Sequence, residues 1–167
     1  MTAARRSIRY AVVGLGHIAQ VAVLPAFPHA RNSELVAVVS DDRTKRREMA
    51  KRYRLEQTFT YEEFDNCLRE VDAVYIALPN SMHADYTIRA ARAGVHVVCE
   101  KPMAVTTKEC QQMIAACRKA RVKLMVAYRL HFESLNLPAM DLARRARLAE
   151  LKFFNSSFSM TVRRADI

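Results

Sequence analysis

The sequence is short of glycine, and the glycines that it has are unevenly placed. Only three occur among 167 residues, and two of them, Gly14 and Gly16, lie in one turn. Glycine is needed where the backbone turns with a positive φ or approaches a ligand closely, so this placement indicates a backbone requirement at the turn. The third, Gly94, follows a helical pattern and is expected to be its left-handed C-cap.

Cysteine is also sparse, and its spacing argues against a metal site or a disulfide framework. The four cysteines form no Cys-x-x-Cys pair and have no histidine at metal spacing. Cys110 and Cys117 lie seven residues apart on one face of a predicted helix, which is typical of small buried apolar residues. We therefore predict no metal site and expect a reducing, cytoplasmic setting.

Long apolar runs are missing as well, which argues against a membrane protein. Arg5 and Arg6 precede a short apolar stretch, but it runs straight into the glycine turn and is better interpreted as a first strand than as an export signal. The hydrophobic content of 51% and the length of 167 residues are typical of one globular domain.

Negative charge is in short supply, since 27 lysines and arginines face 17 acidic residues and the formal net charge is +10. Seven basic residues fall between Arg43 and Arg54, and three more between Arg144 and Arg147. Neither cluster is interleaved with aromatic residues, and no helix-turn-helix or RNA-binding signature is present. We expect no nucleic-acid partner; the first cluster is interpreted as a solvated helix face whose first turn serves an anionic cofactor.

Apolar runs alternate with helical patterns of about 10–15 residues, which predicts an α/β fold with a doubly wound parallel sheet of the Rossmann type. Besides the first strand, the predicted strands are Glu34–Ser40, Val71–Leu78, Val95–Cys99 and Val122–Ala127. The predicted helices are one ending near Pro25 and Pro28, then Thr44–Tyr53, Glu62–Leu68, Ala84–Ala93, Thr106 or Thr107 to Ala120, and Leu135–Leu148. A last strand, Leu151–Met160, departs from this rhythm. We expect residues 1–127 to be a dinucleotide-binding domain and residues 128–167 to be the start of a truncated α+β domain for substrate binding or oligomerisation.

The glycine turn reads Gly-x-Gly-x-x-Ala from Gly14 to Ala19, between the first strand and the first helix. This pattern is typical of a turn that brings a pyrophosphate to the N–H groups at a helix start. An ordinary strand–turn–helix junction is the alternative, because the motif alone is weak. The alternating fold around it favours dinucleotide binding.

The end of the second strand is where such folds distinguish NAD from NADP. Ser40 and the basic residues Arg43 and Lys45 could bind a 2′-phosphate, which favours NADP. Asp41 or Asp42 could instead bind the ribose 2′-hydroxyl, so that NAD stays possible.

The next two strands end in polar segments at the edge where open α/β sheets bind ligands. Leu78–Pro79–Asn80 is followed by His83, which could contact a ligand or merely cap a helix. Glu100–Lys101–Pro102 follows the next strand. Lys101 could polarise a carbonyl or move a proton during hydride transfer, or be an ordinary surface lysine. The Lys101–Pro102 bond could be cis.

Taken together, these segments resemble the family of glucose–fructose oxidoreductase, inositol dehydrogenase and the rhizopine-catabolism (MocA) oxidoreductases. The similar segments occur in the family's order and spacing: Gly14–Ala19, Leu78–Asn80 with His83, Glu100–Ala104 and Ala127–Arg129. The glucose–fructose oxidoreductase branch is the most similar, through Ser40, Asp42–Lys45, Tyr61, Ala127–Arg129 and Leu151–Phe154.

The resemblance implies a two-domain enzyme that transfers a hydride to or from a small sugar-like substrate with NADP or NAD. It places Lys101 at the reacting carbon, Gly14, Gly16 and Ile18 at the pyrophosphate, Ser40 and Lys45 at the 2′-phosphate, and Tyr61 near the adenine. Asn80, His83, Glu100 and Arg129 line the nicotinamide end. The predicted site therefore has Lys101 as its catalytic residue, no metal, and as cofactor-binding residues Gly14, Gly16, His17, Ile18, Ser40, Arg43, Lys45, Tyr61, Leu78, Pro79, Asn80, His83, Glu100 and Arg129.

The sequence also departs from the family. Arg54, Ala146 and Ala149 stand where relatives usually have glycine, and a non-glycine residue in a left-handed cap costs about 1 kcal/mol. The family's C-terminal substrate domain, through which a homo-oligomer would be expected, is not seen after Ile167. The alternative to an enzyme is therefore a non-catalytic dinucleotide-binding module or partner subunit.

Overall fold

The computed structural model describes residues 6–134 and 136–145. Within them, six parallel strands form one sheet in the order β3-β2-β1-β4-β5-β6. The strands are β1 (Ile8–Val13), β2 (Ser33–Val39), β3 (Gln57–Phe59), β4 (Ala73–Ile76), β5 (His96–Cys99) and β6 (Leu124–Val126). The chain order reverses between β1 and β4, which creates the crevice where doubly wound sheets bind ligands. The predicted fold class is confirmed.

One strand was not predicted, because β3 has only three residues and lies at the edge of the sheet. From the sequence alone, this stretch is interpreted as a connector. Gln57 and Thr58 are exposed and only Phe59 is partly buried, so no apolar alternation marks the strand. Its position matters, because Ser40 N donates to Phe59 O at 2.9 Å and is thereby held at the end of β2.

The helices follow the predicted order with small differences at their ends. After the glycine turn, a π-helical segment (Ala19–Val23) continues into α1 (Leu24–Ala26) and a 3₁₀ turn (Phe27–His29), as the prolines predict. The others are α2 (Arg43–Tyr53), α3 (Phe64–Cys67), α4 (His83–Arg92) and α5 (Thr107–Ala120).

The core consists of an apolar layer on each face of the sheet, because successive strand residues point to opposite sides. In β1, Val13 packs into a layer with Phe64 of α3 and Met113 of α5. Its neighbour Val12 packs into the other layer with Leu24 of α1 and Met49 of α2. Burial on both faces explains why the strands are almost continuous β-branched runs.

Local signals fix several of the helix ends. Thr106 caps α5 and Gly94 follows α4 with φ +79°, both as predicted. Glu109 completes a capping box with Thr106, which was not predicted. Arg54 ends α2 in the left-handed region with φ 56°, in line with the expected strain there. Arg121 does the same after α5, which was not predicted.

The cysteines are free thiols, and the structure places three of them in the core. Burial raises the pKa of Cys67 and of Cys99 to about 12, so both stay protonated at neutral pH. Cys117 is buried and Cys110 is half-buried on α5. In the part of the chain that the structure describes, no cluster of three or more His, Cys, Asp or Glu side chains could hold a metal ion.

The residues after β6 belong to a second unit, since the chain divides into Met1–Tyr128 and Arg129–Ile167. Its described part contains a 3₁₀ turn (Arg129–Phe132) and α6 (Asn136–Arg144), which lies within the predicted helix. The predicted strand Leu151–Met160, Ala146 and Ala149 lie outside the described residues, and the division into domains stays a prediction. None of the described helices combines the length and the apolar character that crossing a bilayer requires.

Candidate functional site

The glycine turn joins β1 to the first helix at the centre of the sheet. Gly14 has φ +94°, and a Cβ built on it would lie 2.6 Å from the main-chain oxygen of Ala77. Gly16 is different, because nothing lies within 4 Å of the Cβ that it lacks. Gly14 is therefore required by the fold itself, whereas Gly16 leaves open space at the helix start.

A helical turn begins directly after Gly16, where the exposed His17 and the half-buried Ile18 are its first residues. Gln20 N donates to Gly16 O at 3.3 Å, which closes the first turn. The N–H groups at a helix start have no partner within the helix and favour an anion. The open space beside Gly16 leaves room for an anion near these groups. The predicted contacts of Gly14, Gly16 and Ile18 with a pyrophosphate, and of His17 with the cofactor, stay predictions.

At the end of β2, the two aspartates are held by neighbouring parts of the chain. Asp42 caps α2: one of its carboxylate oxygens accepts from Lys45 N at 3.0 Å and the other lies 3.4 Å from Lys45 Nζ. Asp41 accepts from Tyr61 N at 2.9 Å. Each carboxylate therefore has a structural partner, which weakens the alternative that one of them binds a ribose hydroxyl.

Donor groups surround Ser40, which is 5% exposed. Arg46 of α2 donates from Nη1 to Ser40 O, and Asp42 N donates to the Ser40 hydroxyl at 3.2 Å. Burial raises the pKa of Tyr61, so its hydroxyl stays protonated. Lys45 is half-buried in the first turn of α2, while Arg43 is exposed at its first position.

Arg46 is the residue that sequence reasoning missed in this group. Hydrogen bonds from Thr60 lower the pKa of the Glu63 carboxyl, and the nearby Arg46 guanidinium lowers it further. The available signal is its position four residues after Asp42, one helical turn from the N-cap residue of α2.

On the other side of the crevice, His83 connects the segments that follow β4 and β5. Its side chain is fully buried at the start of α4. Nδ1 lies 2.9 Å from Pro102 O and Nε2 lies 2.9 Å from Leu78 O. Both ring nitrogens have main-chain partners, which gives His83 a positioning role between the two segments. Its predicted contact at the nicotinamide end stays a prediction. Leu78 is buried, whereas Pro79 and Asn80 are exposed at the sheet edge.

Glu100 and Lys101 lie at the end of β5 in contrasting surroundings. Glu100 is 8% exposed, and its carboxylate accepts from the Tyr75 hydroxyl at 2.8 Å and from Lys101 N at 3.2 Å. Lys101 is exposed, and the bond to Pro102 is cis, as predicted. Tyr75, in β4, is a second residue that could not be identified from the sequence, since it lies within an apolar strand without any motif.

The structure therefore brings most of the predicted residues to one edge of the sheet. The ends of β1, β2, β4 and β5 carry the glycine turn, the Ser40 group, the Asn80 segment and Lys101 respectively. The β2 side offers the Arg46 guanidinium and the Lys45 ammonium beside the carboxylates of Asp41 and Asp42, and these donors fit a phosphorylated nucleotide. Arg129 belongs to the second unit as an exposed residue, and its predicted contact at the nicotinamide end stays a prediction.

Comparison with known proteins agrees with this geometry. Residues 8–128 match the model of a family described as an oxidoreductase family with an NAD-binding Rossmann fold, whose members include glucose–fructose oxidoreductase, inositol dehydrogenase and MocA. D-xylose 1-dehydrogenase [NADP(+)] of Haloarcula marismortui is 33% identical over 161 residues, which are 95% of this chain and 45% of that protein.

Solved structures of oxidoreductases also resemble this chain. The aldose-aldose oxidoreductase of Caulobacter crescentus, crystallised with glycerol, is 43% identical with a TM-score of 0.81, over 84% of this chain and 43% of that one. A 3-ketoreductase of Actinomadura kijaniata, in complex with TDP-benzene and NADP, is 28% identical with a TM-score of 0.76, over 84% and 44%. The chain thus spans less than half the length of each of these relatives.

Proposed function

The chain belongs to the oxidoreductase family of glucose–fructose oxidoreductase, inositol dehydrogenase and MocA, with its NAD-binding Rossmann domain, and from this premise we propose that it binds NADP for hydride transfer with a sugar-like substrate. The observation that carries the NADP preference is the set of hydrogen bonds and charges of the side chains that follow β2. Asp41 and Asp42 are engaged by Tyr61 N and by the first turn of α2, while Ser40, Arg46 and Lys45 present donors.

The preference follows from charge. An NAD-specific site offers a free carboxylate to two ribose hydroxyls, and that carboxylate repels a 2′-phosphate. Here the carboxylate of Asp42 is shared with Lys45, in an exposed ion pair that contributes little and can rearrange around a stronger anion. A doubly charged phosphate would gain charge-assisted hydrogen bonds from Lys45 and Arg46.

We assign two roles to the residues of this chain: they position the reacting groups, and they transfer a proton. When bound, the nicotinamide ring supplies the hydride acceptor or donor. Lys101 stands at the strand end with an ammonium that has no hydrogen bond or ion pair among residues 6–128. We assign it the role of polarising the substrate oxygen and moving its proton while the hydride is transferred. Glu100 and His83 fix the main chain on either side of Lys101 through Lys101 N and Pro102 O.

The substrate class is proposed from the relatives. The names of those proteins refer to D-xylose and to aldoses, and one relative was solved with a TDP compound. These substrates share one reacting group, which is a sugar carbon that bears a hydroxyl or a keto group.

The proposal is tested by titrating the purified chain with NADPH and with NADH, following the fluorescence of the reduced nicotinamide. Saturable binding of NADPH at least about tenfold tighter than that of NADH is the expected result, since a charged hydrogen bond contributes about 1.5–3 kcal/mol. Equal affinities would contradict the NADP preference, and no binding of either would contradict the proposed function. Tight NADPH binding without turnover of any sugar or keto-sugar would favour a non-catalytic binding module.

Replacing Arg46 by alanine is expected to weaken NADPH binding about tenfold and to leave NADH binding within about twofold, since only NADPH carries the 2′-phosphate. The matched control is Arg47→Ala, which removes the same charge from the adjacent exposed position of α2. Competition by 2′,5′-ADP against 5′-AMP measures the same difference without the nicotinamide. Equal effects of the two substitutions would show that net charge, and not the position of Arg46, determines the preference.

A further inference from the structure

Glu100 is a buried acid whose hydrogen-bond partners among residues 6–128 carry no charge. Its carboxylate accepts one hydrogen bond per oxygen, from the Tyr75 hydroxyl and from Lys101 N. Both donors are uncharged. No lysine, arginine or histidine of residues 6–128 forms an ion pair with it. A carboxylate removed from water without a counter-charge is expensive for the fold, so its presence at the ligand-binding edge calls for a functional reason.

The neighbouring Lys101 does not cancel this charge. Its ammonium lies beyond ion-pair distance of the Glu100 carboxylate and is exposed, whereas Glu100 is 8% exposed. Water screens the field of an exposed charge far more than that of a buried one. The field that acts on a group bound at the end of β5 is therefore dominated by the carboxylate.

The topology places Glu100 on the nicotinamide half of the crevice. The glycine turn of β1 marks the pyrophosphate, and the Ser40 group at the end of β2 marks the adenosine side. A dinucleotide lies across the switch point of such a sheet, so its other half falls at the ends of β4 and β5. Glu100 follows β5 directly, and its main-chain N–H is held by Ile76 O of β4 at 2.9 Å.

We propose that the buried carboxylate of Glu100 binds the oxidised, positively charged nicotinamide ring in preference to the neutral reduced ring. The two redox forms of the ring differ by one positive charge at the ring, and a nearby fixed negative charge stabilises only the charged form. Glu100 thereby lowers the reduction potential of the bound cofactor and favours hydride donation by NADPH to a keto group. This inference rests on the proposed function, because it requires that the chain bind the dinucleotide.

Tyr75 is the positioning residue of this arrangement. Its hydroxyl reaches from β4 to one oxygen of Glu100, while Lys101 N holds the other. Removal of the hydroxyl alone, by Tyr75→Phe, leaves the ring in the sheet and frees the carboxylate to move or to take up water. The effect of this substitution should follow that of Glu100→Gln in direction and be smaller.

The experiment compares the dissociation constants of NADP⁺ and NADPH for the purified chain and its variants. NADPH is titrated by fluorescence, and NADP⁺ is titrated by displacement of bound NADPH. In Glu100→Gln, the ratio of the NADP⁺ constant to the NADPH constant is expected to rise about tenfold, which corresponds to about 30 mV for a two-electron couple. Tyr75→Phe is expected to raise the same ratio about threefold, which corresponds to about half of that shift in potential.

Two controls separate the local field from other effects. Glu34→Gln removes the same charge from an exposed position at the opposite end of the strands, and Tyr10→Phe removes a half-buried hydroxyl in β1. Both should leave the ratio unchanged. If Glu100→Gln does not fold, Tyr75→Phe carries the test alone.

A ratio that stays unchanged in Tyr75→Phe and Glu100→Gln, while both forms still bind, would overturn this inference and leave the proposed function intact. An equal loss of affinity for both forms would also overturn it, because Glu100 would then act only as a scaffold for the Lys101 segment. A wild-type chain that binds neither form would instead overturn the proposed function, and this inference with it.

Discussion

Replacing Gly14 by alanine is expected to lower the free energy of unfolding by about 2–4 kcal/mol and to abolish dinucleotide binding. Gly14 has φ +94°, and the new Cβ would lie 2.6 Å from Ala77 O and 2.9 Å from Ala77 C. Both atoms are main chain at the end of β4, so the clash is relieved only when β1 and β4 separate. That displacement would move the helix start away from the site of the pyrophosphate.

The sequence provides two controls for this substitution. Gly16→Ala meets no atom within 4 Å and has no positive φ, so stability should be retained while NADPH binding falls, because the methyl group enters the open space at the helix start. Gly94→Ala has φ +79° but open space, so it should cost only about 1 kcal/mol and leave binding unchanged.

Urea denaturation and NADPH titration of the three variants measure both effects. If Gly14→Ala were as stable as Gly94→Ala, then the close approach to Ala77 would not limit the fold. If Gly16→Ala bound NADPH normally, then the space beside Gly16 would not be the pyrophosphate site.

The fold could be predicted because both of its signals are local. β-branched runs between helical patterns determine a parallel sheet, and Gly94 and Thr106 mark helix ends by their own chemistry. The short strand β3 lacked such a signal, since its pairing with β2 depends on where the chain returns and not on its own side chains. Arg121 likewise adopts its left-handed conformation because α5 ends there, and nothing in its residue type predicts that conformation.

The position of the site could be predicted for a related reason. In a parallel sheet the carboxyl ends of the strands share one edge, so Gly14, Ser40, Asn80 and Lys101 were expected together before any contact was known. The partners of the polar groups could not be predicted. The hydrogen bond from Tyr61 N to Asp41 joins residues that are far apart in the chain.

His83 shows this limit most clearly. Its motif is compatible with a ligand contact, and only the fold shows that Pro102 O and Leu78 O face its two ring nitrogens. One partner lies five residues earlier and the other lies 19 residues later, and contacts of a buried histidine with main-chain carbonyls leave no pattern in a single sequence. The same holds for Tyr75, whose hydroxyl reaches Glu100 across neighbouring strands.

Lys101→Met is expected to lower the rate of hydride transfer by about 10²–10⁴-fold while the affinity for NADPH stays within about twofold. Methionine retains the length of the side chain and removes its charge, so the substrate oxygen loses its proton donor and its electrostatic partner. The main chain should stay in place, because Lys101 N still donates to Glu100 and Pro102 O still faces His83. The rate is measured as NADPH oxidation with a panel of aldoses and keto-sugars.

The matched control is Lys108→Met, which removes an exposed ammonium from the first turn of α5 and should leave the rate unchanged. Two outcomes would contradict the assignment of Lys101. An unchanged rate would mean that its ammonium does not act on the reacting carbon. A parallel loss of rate and NADPH affinity would mean that Lys101 holds the cofactor and does not move the proton.

Because Lys101 has no ion pair among residues 6–128, a selective loss of rate has a direct explanation. Among those residues its ammonium has no partner that would compete with the proposed substrate, while the hydrogen bond from Lys101 N to the buried Glu100 holds the main chain from which it projects.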